Sequence, residues 1–188
     1  MLLQRHATLH EYLFDYYEQQ LSHKQLITRP QPNTNSVAWN LWHVSRAEDV
    51  GVNRFVADRP QVLNAHWMAE MNLPLRHHGY AMTSSEVDDL NQAVNLAGLH
   101  GYRHAVAAQT RDVLANLDSF DLEREMDAER LRQILEDEGV AHPLATDLFE
   151  SYLGRSGERN LFGYAITHGF QHVGEIDVII SLLGVTLA

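Results

Sequence analysis

The chain contains no cysteine. Disulfides, zinc–thiolate sites, a cysteine nucleophile and an intrinsic redox thiol are therefore excluded, and the absence agrees with the cytoplasmic location expected for it. No stretch approaches the ~20 consecutive apolar residues that a membrane-spanning helix needs. Met1-Leu2-Leu3-Gln4-Arg5-His6 turns polar at once, so no signal peptide is expected either. Basic residues are scarce: 14 Lys and Arg stand against 25 Asp and Glu, for a formal net charge of −11. Such a chain repels nucleic-acid phosphates and anionic membrane surfaces at long range, so neither is expected as a partner. The remaining composition, 45% apolar and 21% charged over 188 residues, is that of one globular domain, 1–188. The residue in excess is histidine, with twelve, and histidine is the commonest metal ligand.

Apolar residues at three- and four-residue steps, among them Leu2, Leu9, Leu13 and Leu21, predict a first helix over 2–27. It should stop before Arg29-Pro30, because a proline disfavours helix in the residue preceding it. Asn33-Thr34-Asn35-Ser36 offers N-caps for a second helix, about 36–57. A long connection from Asp58 to Thr83 holds Pro60, Pro74, Gly79 and the tandem His77-His78, and long connections in compact folds tend to be functional. Thr83 and Glu86 have capping-box spacing and should open a third helix reaching about Leu117. Residues 121–138 are charge-dense with a narrow stripe of Leu131, Ile134 and Leu135, which predicts a surface helix. A looped stretch with a helical turn near 145–152 leads to a last helix, 158–183, ended by Gly184. The expected fold class is all-α: a four-helix bundle with a long crossover between helices 2 and 3 and an extra surface helix near 121–138.

Three histidine pairs have i, i+4 spacing: His6/His10, His100/His104 and His168/His172. Chance accounts for about one such pair, so each is judged by its helical face. Four residues advance 400° along a helix and set two rings side by side, close enough to share one ion. His168 and His172 share a stripe with Leu161, Ala165, Ile176 and Ile179, which turns both rings toward the core. Buried imidazoles need hydrogen bonds or a metal. Both outcomes, satisfied core histidines or ligands, stay open on this helix alone. Glu175, one turn on, is placed to orient a ring from behind. His100/His104 lie on a polar face and are expected to be solvated, as are His6/His10. His43 stands alone on the apolar face of the second helix, and gains meaning only if the last helix packs opposite it. Glu48 and Asp49 point away from His43 and are expected in salt bridges, for example with Arg46.

Pro30 to Asp49 reads P-x-P-N-T-N-S-V-A-W-N-L-W-H-V-S-R-A-E-D, and His168 to Ile176 reads H-G-F-Q-H-V-G-E-I. The first segment resembles the start of the second helix of the DinB-like superfamily of metal-binding four-helix proteins. The second resembles that superfamily's closing H-x-x-x-H-x-G-E/Q-I segment. The helix order and the long second connection agree too, so the likeness covers most of the chain. The resemblance implies one divalent metal ion (zinc, nickel or iron, since imidazole suits each) on His43, His168 and His172 at one end of a bundle, often in a homodimer. Members that resemble this chain include thiol-dependent transferases and isomerases.

The leading functional expectation is a metal-dependent enzyme of thiol S-transferase type, in which a low-molecular-weight thiol or water is the nucleophile. With no cysteine in the chain, the thiol would have to come from outside. Trp39, Trp42 and Phe170 are candidate pocket walls, with Arg46, His77 and His78 candidate contacts to an anionic small-molecule substrate. The alternatives are a metal-dependent hydrolase, with Glu175 as its most reachable general base, and a non-enzymatic metal- or ligand-binding dimer.

Overall fold

The computed structural model describes residues 1–187. It is all-helical, and no strand occurs among the described residues. Four long helices form the frame: α1 (residues 2–20), α3 (37–56), α6 (Leu96–Asn116) and α10 (157–182). α1 and α3 each pack against both α6 and α10. Their apolar faces meet in one core that includes Phe14, Trp42, Leu99, Tyr102 and Ile176. No described helix is long and apolar enough to cross a membrane.

The helix starts follow the capping chemistry of the sequence. The Ser36 hydroxyl accepts from the Trp39 N–H at 2.9 Å and opens α3. Thr83 and Glu86 form the expected capping box and open α5 (Ser84–Ala93). Two predicted helices are shorter than expected. The first ends at Gln20, and a separate turn of helix, α2 (His23–Ile27), starts on its own Ser22–Gln25 capping box. The third breaks at Val94, because the Asn95 side chain caps Ala97 and Gly98 and starts α6 afresh.

The surface helix expected over 121–138 is instead two pieces, α7 (Ser119–Glu123) and α8 (128–137). Between them Met126 exchanges backbone hydrogen bonds with Gly154 and Arg155. Leu131, Ile134 and Leu135 are buried against Val50, Phe55, Met126 and Tyr152 in a second core. The narrow stripe is thus a packing face for the stretch that carries the short helix α9 (Leu148–Tyr152).

The crossover between α3 and α6 is moored at its start. The Asp49 carboxylate, wholly buried, accepts from the Val62 and Leu63 backbone N–H groups, from Asn53, from Tyr102 and from Arg46. Arg46 in turn donates to Gln61 and to the Arg76 carbonyl. These bonds, together with the short helix α4 (Ala65–Met71), fix where the chain re-emerges at His77. Gly79 then takes φ +93, and a Cβ there would meet the Trp42 and Trp39 rings. Only glycine lets this loop pass so close to α3.

Candidate metal centre

α3 and α10 pack so that His43 faces the His168/His172 pair. The Nε2 atom of His168 lies 3.2 Å from that of His43 and 3.1 Å from that of His172. A tetrahedral ion with bonds of about 2.0–2.1 Å places neighbouring nitrogens roughly 3.3 Å apart. Both of these separations therefore stand within a few tenths of an ångström of ligand spacing, and all three donor atoms lie within 4.8 Å of one another.

The far side of each ring decides which nitrogen is left for an ion. His43 Nδ1–H donates to the His78 carbonyl. His172 Nδ1–H is 2.6 Å from Asn40 Oδ1 and 2.8 Å from Glu175 Oε2, and a carboxylate can only accept. Both rings therefore turn a bare Nε2 toward the centre. His168 Nδ1 is buried without a partner among the described residues. Trp39 stacks on His43, with centroids 4.6 Å apart and planes 12° from parallel, and so limits its rotation.

Burial, then the neighbouring His168, holds His43 well below the usual imidazole pKa. Burial and His172 push His168 down to about 4. Burial and the nearby Arg46 take His78 down to about 3. Neutral rings are the ligating form, so the fold keeps His43 and His168 ready at neutral pH. The linkage has a definite sign. A histidine whose folded pKa lies below its unfolded value of 6.5 binds more protons unfolded, and its contribution is complete above pH 6.5. The melting temperature of chelator-stripped protein is expected to fall as pH is lowered from 6.5 toward 4. A flat profile over that interval would contradict the buried, neutral rings.

The expected site residues fall into two groups. Trp39, His43, His168, His172 and Glu175 all line one cavity of about 650 Å³, together with Gln171 and the loop at Tyr80. Trp42 is wholly buried in the core. Arg46 is wholly buried too, its guanidinium taken up by Asp49, Tyr102, Gln61 and Arg76. Phe170 is 38% exposed and is not among the residues lining that cavity. His77 packs edge-on against Trp42, and His78 contributes its backbone oxygen to His43. Glu175 is held below the ordinary carboxylate range first by its hydrogen bond from His172.

Asn40 was legible and went unread. An amide one turn before His43, in an otherwise apolar run, needs a partner, and it finds His172. Asn40→Ala is expected to weaken metal affinity by about 10- to 100-fold, the usual effect of removing a group that orients a ligand. A competition titration with a chromophoric chelator measures this, and an unchanged affinity would remove Asn40 from the site.

The pairs expected to be solvated behave differently. His100 and His104 bond Glu18 and Asp15 around the buried Arg103, so that position already holds its cation. His6 and His10 are 0% and 1% exposed, a correction to the expectation. Their Nε2 atoms donate to the two oxygens of Glu48 at 2.8 and 2.9 Å. Glu48 thus pairs with α1 rather than with Arg46. Burial works against its charge, but His10 and His6 outweigh that and hold the carboxyl ionised.

The fold and the site describe an all-helical protein in which three groups of side chains could hold a metal ion: His43, His168 and His172; His6, His10 and Glu48; and the more exposed Asp15, His100 and His104. Residues 7–176 match the model of the DinB superfamily, and the chain belongs to that superfamily. A solved structure described as a conserved protein from Enterococcus faecalis has the same fold, with a TM-score of 0.70 and 19% identity over 97% of this chain and 95% of that one. No curated protein matches the chain in sequence.

Proposed function

We propose that the protein is a metal-dependent enzyme in which His43, His168 and His172 hold a divalent ion that activates a low-molecular-weight thiol. The observation that carries this reading is the convergence of three Nε2 atoms at the edge of a 650 Å³ cavity, with no carboxylate among the three. Three neutral donors leave a coordination position free. An ion bound there acts as a Lewis acid and lowers the pKa of a coordinated thiol or water. The chain's own residues do the rest. The His78 carbonyl and Asn40 fix the ring planes, Trp39 walls the cavity on the His43 side, and Glu175 balances charge behind His172. The thiol is external because the chain has none.

Purified, metal-loaded protein is expected to transfer thiols to soft electrophiles, with turnover lost in His172→Ala. Ester or amide hydrolysis without added thiol would favour the hydrolase instead. No turnover with a panel of thiols and electrophiles would leave a binding protein.

A further inference from the structure

A second cavity, of about 230 Å³ and open to solvent, shares His43, Tyr80 and His168 with the first and is lined on another side by the stretch around α9. It has room for roughly eight water volumes at ~30 Å³ each, which suits a molecule of a few carbons. Two charged residues line it, Asp147 and Arg155. Asp147 already accepts from the Tyr80 hydroxyl at 2.9 Å.

Arg155 is differently placed. Arg46, Arg54 and Arg103 each have a carboxylate within reach. Arg155 has none within 4 Å among the described residues, although the chain carries 25 acidic side chains. Its Nε is buried and lacks a partner. Its guanidinium lies 4.7 Å over the Tyr152 ring. The Tyr152 and Tyr164 rings are 6.2 Å apart, and Tyr164 is 5.9 Å from His168. Stacking on a ring restrains a guanidinium while leaving its in-plane N–H groups for a planar anion. A carboxylate is the group that matches this fork.

We infer that Arg155 forms an anion subsite, which takes the carboxylate of a small acid whose other end reaches the histidine triad. The inference deepens the thiol reading by naming the chemical class of molecule, a short carboxylic acid. It also has a readout that needs no thiol chemistry.

Two probes on cobalt-loaded protein test it. The first is the thiolate-to-metal charge-transfer band, titrated with 3-mercaptopropionate and with 2-mercaptoethanol. Wild type is expected to bind the acid about tenfold more tightly, as one charge-assisted hydrogen-bonded contact warrants. Arg155→Gln should abolish that preference and leave 2-mercaptoethanol within about twofold, whereas Arg155→Lys should restore part of it. The second probe is the Arg155 Nε–H resonance of the metal-loaded protein, expected to shift with propionate and not with 1-propanol. Equal affinity for the two thiols in wild type, or an unchanged preference in Arg155→Gln, overturns the subsite. No band with either thiol sinks the thiol reading alone, and the propionate shift then decides the subsite: its presence sustains it and its absence removes it.

Discussion

Alanine at His43 or at His172 is expected to cut bound metal from about one ion per chain to below ~0.1 after dialysis, because two imidazoles on an open site hold an ion far more weakly than three. The two residues sit on different helices, 129 positions apart in sequence, so parallel loss would prove one shared centre. Neither variant should unfold. His43 and His172 are buried, but each has the 650 Å³ cavity beside it, and water can reach what the missing ring leaves behind. Metal content by elemental analysis, on protein without a histidine tag, is the measurement. Full retention in both variants would place any bound metal elsewhere, and the His6–His10–Glu48 group would be the first place to look.

Glu48→Ala should act on stability with the opposite profile. Among the described residues its carboxylate is the only acceptor for the His6 and His10 Nε2 donors, and all three side chains are buried. Removing one partner of a buried charged network typically costs about 3–5 kcal/mol. A chain of this size loses ~2–4 °C per kcal/mol, so the melting temperature should drop by roughly 10 °C. Glu48→Gln, which keeps the shape and one acceptor, should lose less. Because Glu48 does not touch the triad, metal content should stay near one ion per chain in either variant at low temperature. A melting temperature within about 2 °C of wild type for Glu48→Ala would mean that water replaces the carboxylate there.

The contrast between these two sites shows what a sequence can disclose. His168 and His172 were legible because a helix repeats at 3.6 residues, and the two rings announce their common face locally. His43 was legible through the segment around it. His6 and His10 have the same spacing, yet nothing nearby in the chain marks them as buried. Their partner is Glu48, 38 and 42 positions away, and only the packing of α1 on α3 brings it there. Charge density misled in the same way over 121–138. Some charged residues there are exposed, but Arg124, Arg130 and Glu138 are half-buried in bonds to Val56 and Arg54, and three apolar side chains draw the segment into a second core. The break at Asn95 was a matter of local chemistry, since an asparagine inside an apparently continuous helix is also a capping residue.

The hydrogen bond between Tyr80 and Asp147 joins the crossover after α3 to the stretch before α9, at the cavity that His43 and His168 also line. The crossover is moored elsewhere through Asp49, and the chain just after α9 is moored through Met126. The three histidines, by contrast, stand on α3 and α10. Frame and rim are therefore anchored separately, apart from the His78 carbonyl by which the crossover also holds His43. Substitutions in these two loops can accordingly reshape the rim of the cavity while α3 and α10 keep His43, His168 and His172 in place, so long as the His78 carbonyl keeps its position.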